Sequence, residues 1–291
     1  MFSSAEAARK LAPDDPNVAH PLGRLAYETG DFPWAASLLQ QAARQQTDDP
    51  ALLFDLANAD YAEGRTQDAE TAMRSVLNPP AVSLPALSLS KGPNGQANAN
   101  FTHAAEAKRF LDMLALAADP GQAVAAAASV AQILKSDPAY VPALMALAAI
   151  DEQKRNVGTA TETYEKILGH YPDFSPAQKR LAILYASNPG DSQKALAAAT
   201  KARQAFPDDA ELAKAFGIIV YRQGEYARAA SLLQESASKR DSDGELMYYL
   251  GMTQFQLNKR TESKQTLQRA LELGLKDELA AEARKNLAKL K

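Results

Sequence analysis

The chain has 291 residues, of which 46% are hydrophobic and 23% charged, with a formal net charge of -3 and a sequence pI near 5.7. That acidic balance argues against the basic footprint of a nucleic-acid binder, and the absence of cysteine excludes disulfides, thiolate metal sites and cysteine nucleophiles. No apolar run approaches the roughly 20 residues of a membrane helix, and Met1 to Leu11 lacks the basic start and apolar middle of a signal peptide.

Residues 1–15 place Ala5, Ala8 and Leu11 on one face of a short helix. Counting back 34 residues from Ala42 and Thr47 lands on Ala8 and Pro13, so this stretch reads as the second half of a partial repeat or as an N-terminal cap. A capping oxygen followed by proline recurs at Asp15-Pro16, Asp49-Pro50, Asp137-Pro138 and Ser175-Pro176, the signature of a helix start. These marks frame repeats over 16–49 and 50–83, then over 107–140, 141–174, 175–209, 210–243 and 244–277. The repeat over 175–209 carries one extra residue near Asn188-Pro189-Gly190, which predicts a longer turn and unshifted helices. Residues 84–106, rich in Pro, Gly, Ser and Asn, predict a flexible insertion without helix, of a kind that surface loops tolerate cheaply. From 278 to 291, Leu279, Ala283, Leu287 and Leu290 form one stripe with Lys and Arg opposite, predicting a C-terminal capping helix.

The residue order inside each repeat is most explicit at Phe216-Gly217, Val220, Gly224, Tyr226 and Ala229. Large apolar residues alternate with Gly217 and Ala229, which are small where two helices approach closely, and Gly224 permits the chain reversal between them. The same order returns at Leu22-Gly23, Tyr27, Gly30, Phe32 and Ala35, and at Leu56-Ala57, Tyr61, Gly64 and Ala69. It continues at Leu147-Ala148 with Tyr164, Leu181-Ala182 with Tyr185, and Leu250-Gly251 with Phe255, and more weakly at Met113-Leu114 with Val130. This order resembles the tetratricopeptide repeat, and the resemblance covers nearly the whole chain.

The resemblance implies an all-α fold, a right-handed superhelical solenoid of helix-turn-helix repeats, with a concave groove lined by the first helix of each pair. It implies a non-catalytic protein-interaction scaffold whose partner is a protein or peptide. The chain is similar to alanine-rich bacterial repeat proteins of envelope and polysaccharide-export systems. Carried over by position, the groove candidates are His20, Arg24, Tyr27, Phe54, Asn58 and Tyr61, and later Lys214, Tyr221, Arg222, Tyr248, Met252 and Phe255. Met145, Glu152 and Lys179 take the same positions between them. The cation clamp by which some members grip an acidic tail is incomplete, because Ala51 and Phe54 stand where polar residues belong.

No catalytic, metal or cofactor site is read from the residues. His20, His103 and His170 fall in different repeats, and the acidic pairs Asp14-Asp15, Asp48-Asp49 and Asp208-Asp209 fall at helix starts, where capping explains them. Two alternatives stand beside the scaffold reading. One is a self-associating, homo-oligomeric solenoid, and the other is the docking domain of an enzyme whose remainder precedes Met1. The compartment expected is the cytoplasm for the chain as it stands, or the periplasm or envelope should a signal sequence lie upstream.

Overall fold

Helix-turn-helix pairs follow one another along the chain because each pair presents an apolar stripe that its neighbours largely cover. The structure, a computed structural model, describes residues 15–78, 96–188 and 190–290. Among the described residues there are seven pairs and a final helix. The pairs are α1 (Pro16–Glu28) with α2 (Phe32–Ala43), α3 (Pro50–Ala62) with α4 (Thr66–Leu77), and α5 (Gln96–Ala118) with α6 (Pro120–Ser136). Next come α7 (Val141–Gln153) with α8 (Val157–His170), and α9 (Ser175–Ser187) with α10 (Ser192–Ala205). The last are α11 (Ala210–Arg222) with α12 (Tyr226–Ala237), and α13 (Gly244–Gln256) with α14 (Arg260–Glu272), followed by α15 (Asp277–Lys289). The architecture is an all-α repeat solenoid. It divides inside α9 into one unit ending at Ala177 and another beginning at Gln178.

Close approach within the pairs rests on residues without bulk. A Cβ built on Gly23 would come to 2.7 Å from Leu39 Cγ, one on Gly217 to 2.7 Å from Leu233 Cγ, and one on Gly251 to 2.8 Å from Leu267 Cγ. Each leucine lies sixteen positions after its glycine. Ala57 and Ala148 hold the same relation in sequence to Met73 and Tyr164, and all four are essentially inaccessible to water. At the Gly251 contact the buried Ser263 hydroxyl donates to Gly251 O at 2.8 Å, so the close approach also satisfies a buried polar group.

The turns inside five of the pairs share one geometry. Backbone N–H groups of Asp31, Arg65, Asn156, Glu225 and Lys259 donate to carbonyls five residues back, at 2.8 to 3.0 Å. This six-to-one bond needs a left-handed residue just before the donor. Gly30, Gly64 and Gly224 supply it at φ near 83°, whereas Arg155 (φ 61°) and Asn258 (φ 59°) adopt it despite their side chains. In the α9–α10 pair the turn is longer, and Asp191 caps α10 by accepting from the Gln193 and Lys194 N–H groups.

Three local expectations are corrected. Helix α5 begins at Gln96, so residues 96–106 are helical and the non-helical insertion does not reach 106. The Pro/Gly run ends at Gly95, and the Ala-rich sequence beyond it has high helix propensity. Asp137 closes α6 and does not open α7, which starts at Val141 behind Tyr140; the Asp137 carboxylate instead accepts from Arg109 at 3.1 Å. In α15 the buried stripe runs through Ala280, Ala283 and Asn286, with Leu279 and Leu287 only partly covered, a small rotation from the expected face. The reading of residues 1–14 as a partial repeat or cap lies outside the described residues, as does that of 79–95.

Candidate functional site

In the first unit, α1 and α3 lie side by side and set their exposed faces around one open cleft. It is lined by Arg24, Tyr27 and Glu28 from α1 and by Phe54, Asp55 and Asn58 from α3. Spacings of three and four place each trio on one helical face. His20, one turn before Arg24, bonds Asp55 Oδ2 at 2.8 Å and ties the two helices together beside the cleft. Asn58 donates from Nδ2 to Phe54 O at 2.8 Å, which holds its amide along α3. Arg24 donates to Glu28 at 3.3 Å, and both side chains are more than half exposed. Phe54 leans on His103 of α5, ring centroids 5.2 Å apart. The cleft thus combines two carboxylates, one exposed cation, an amide and two aromatic faces.

Tyr27 lines the cleft, whereas Tyr61 does not. Tyr27 is partly buried, 5.4 Å from Phe32 and 6.5 Å from Tyr171 between ring centroids. Burial, with Tyr171 beside it, pushes the Tyr27 phenol well above its ordinary pKa. Tyr61 is 5% exposed and edge-on to both Phe110 (5.2 Å) and Phe174 (5.4 Å). The expectation that Tyr61 lines an open groove is therefore corrected: its ring packs in the interior of the unit, filled from the α8–α9 turn.

In the second unit the candidates are taken up by neighbouring repeats. Lys214 Nζ lies 2.9 Å and 3.0 Å from the Asp243 carboxylate oxygens and 2.8 Å from Glu245, while Lys179 pairs with Asp209 in the same register one repeat earlier. Each lysine thus binds the carboxylate that caps the first helix of the next pair. Burial raises the Asp243 carboxyl, but the Leu246 amide and Lys214 outweigh it and hold the group below the usual carboxylate range. Arg222 donates to Tyr185 O and to Tyr249 Oη, both at 3.2 Å, bridging three successive repeats. Tyr221 packs between Tyr226 (5.7 Å) and Tyr249 (5.6 Å), and burial pushes its phenol up to about 12.

Tyr248 and Met252 are each 3% exposed, and they are corrected for the same reason as Tyr61. The Tyr248 hydroxyl donates to Glu282 at 2.7 Å, Met252 Sδ accepts from Asn286, and Lys289 sits over the Phe255 ring. Positions 248, 252 and 255 form one helical face, and α15 covers it. Of the residues between, Met145 is buried and Glu152 accepts from the buried Tyr164 hydroxyl at 2.8 Å. Sequence reasoning did not identify Glu28 and Asp55 as cleft residues, although they adjoin Tyr27 and Phe54 on the faces already named. Tyr171 and Phe174, in the turn between α8 and α9, likewise carry no repeat signal that marks them as packing residues.

Among the described residues no group of three His, Asp or Glu side chains could hold a metal ion, and no helix is long and apolar enough to cross a membrane.

Two tetratricopeptide repeat family models match the chain, over residues 26–85 and 181–245. No curated protein matches it. Solved structures that are similar include MamA, at 19% identity over 57% of this chain and 90% of that one, with a TM-score of 0.46. Another is YrrB, described as a TPR protein with an unusual peptide-binding site, at 15% identity over 86% and 99%, TM-score 0.44. A third is TTC0263, a TPR protein of Thermus thermophilus, at 16% identity over 95% and 98%, TM-score 0.29.

Proposed function

We propose that this chain, a tetratricopeptide-repeat protein and hence a protein-interaction scaffold, binds an extended peptide segment of its partner in the α1–α3 cleft and acts without catalysis. The observation that carries this reading is convergence. Arg24, Tyr27, Phe54 and Asn58, identified by repeat position alone, border one open cleft, whereas the later candidates are held by intramolecular partners. Phe54 and the edge of Tyr27 offer apolar contact to a side chain, and Arg24 and Asn58 offer polar contact to the peptide backbone. Aromatic and arginine side chains of this kind dominate interface energetics when a partner desolvates them, each contributing about 2 kcal/mol or more at the centre of an interface.

A peptide-display selection against the whole chain tests this, followed by titration of the enriched peptides by fluorescence polarisation. The expected result is that Phe54→Ala and Arg24→Glu each weaken binding at least tenfold, while Lys214→Ala leaves it unchanged. Enriched peptides that bind the Phe54 and Arg24 variants as tightly as the parent chain would place the binding surface elsewhere.

A further inference from the structure

The first two helix pairs are far more acidic than the rest of the chain. Residues 15–78 hold ten Asp and Glu against four Lys and Arg, a formal charge of -6, whereas the whole chain carries -3, which leaves +3 on the other residues. A surface of one sign raises the local concentration of ligands of the other sign and speeds their encounter. These two pairs therefore favour a basic partner.

The α1–α3 cleft repeats this bias at close range. Each helix lends it an aromatic residue followed by a carboxylate, Tyr27-Glu28 from α1 and Phe54-Asp55 from α3. Burial raises the Tyr27 phenol and the Asp55 charge adds to the rise, so the α3 carboxylate acts on the α1 ring. The Asp55 side chain is 20% exposed, and the His20 ring donates a single N–H to its Oδ2 at 2.8 Å, which leaves Oδ1 as an acceptor. Glu28 pairs with Arg24 at 3.3 Å in an exposed i,i+4 pair, a kind that holds weakly in water. Once Arg24 turns to a peptide carbonyl, Glu28 is uncovered. Asn58 uses its amide N–H on Phe54 O, which leaves its own Oδ1 as an acceptor. Three acceptors thus stand beside two aromatic rings.

Arginine fits this set better than any other side chain. Its planar guanidinium lies flat on an aromatic ring and carries five N–H donors for carboxylate and amide oxygens. We propose that the α1–α3 cleft selects a basic peptide segment anchored by an arginine, whose guanidinium lies against the aromatic faces with Asp55 and Glu28 as its counter-charges. The proposal rests on the cleft reading above and adds to it the chemistry of the ligand.

The test uses the whole chain, immobilised, and three fluorescein-labelled pools of seven-residue peptides. The pools are randomised except at the central position, which is arginine, citrulline or glutamate; citrulline keeps the shape of arginine without its charge. At low salt the parent chain is expected to retain the arginine pool at least tenfold more than either of the others. Glu28→Gln combined with Asp55→Asn, which preserves the shape of both side chains, should bring the arginine and citrulline pools within twofold of each other. If that double variant does not fold, Glu28→Gln alone, at an exposed position, is expected to lower the preference at least threefold. Equal retention of the arginine and citrulline pools by the parent, or a preference that the carboxylate variants leave intact, overturns the proposal. Phe54→Ala judges the cleft reading separately. If it lowers retention of all three pools while the parent shows no preference among them, the cleft binds peptide and the proposal alone has failed. Failure of the parent to retain the arginine pool overturns both.

Discussion

Gly217 and Leu233 meet so closely that a Cβ on the glycine would stand 2.7 Å from Leu233 Cγ and 2.8 Å from its Cδ2. The contact joins α11 to α12 deep in the second unit, where Leu233 is wholly buried. Gly217→Ala is therefore expected to overpack the pair and cost about 1 to 3 kcal/mol, read as a lower urea midpoint. Gly158→Ala is the control: Gly158 is exposed in the first turn of α8 with nothing within 4 Å of its missing Cβ, and the change should stabilise by about 0.5 kcal/mol. Equal effects at the two sites would mean that the close approach is not what selects glycine at 217.

Arg155 occupies the left-handed turn position that Gly30, Gly64 and Gly224 hold elsewhere. A side chain there costs about 1 kcal/mol or more, and glycine removes most of that cost. Arg155→Gly should raise the thermal midpoint by a few degrees. Asn258→Gly should gain less, since asparagine tolerates this conformation.

Lys214 and Asp243 connect two repeats, with side chains 15% and 16% exposed. The Asp243 carboxyl has a lower pKa in the fold than in the open chain. Its contribution is therefore present above the open-chain value of about 4 and is lost as pH falls through the lowered folded value. Lys214→Met should cost about 1 to 2 kcal/mol at pH 7, and the difference from the parent chain should narrow by pH 3 as Asp243 protonates. Urea unfolding at the two pH values measures both quantities; a pH-independent difference would assign the loss to packing alone.

Tyr248 and Glu282 hold α15 to α13 through a 2.7 Å hydrogen bond from the phenol to the carboxylate. Tyr248→Phe keeps the buried ring and removes that bond, at a cost of about 1 kcal/mol. Hydrogen exchange should show the α15 amides opening faster while those of α11 remain unchanged, because each repeat depends chiefly on its neighbours. Uniform acceleration across the second unit would show that α15 is part of a larger cooperative block.

Local chemistry settled much of this protein from the sequence alone. The 34-residue period, the small residue at the close approaches and the turn glycines Gly30, Gly64 and Gly224 are properties of neighbouring residues, readable before any fold is known. Asp15 and Asp49 cap helices as their Asp-Pro steps predict, accepting from Asn17 N–H and Ala51 N–H at 2.9 Å. The cleft was legible in the same way, because Arg24 and Tyr27, like Phe54 and Asn58, share a helical face whatever surrounds them.

Tertiary structure alone decided which of those faces stay open. Helical periodicity fixes the direction of Tyr61 and Tyr248 about their own axes, but burial depends on what arrives opposite. Tyr61 meets Phe174, more than a hundred residues later, and Tyr248 meets Glu282, 34 residues later. Tyrosine carries an apolar ring and a polar hydroxyl, so one residue type serves a ligand surface and a buried contact equally well. No local pattern separates the two roles. The packing of distant turns and of α15 onto those faces does.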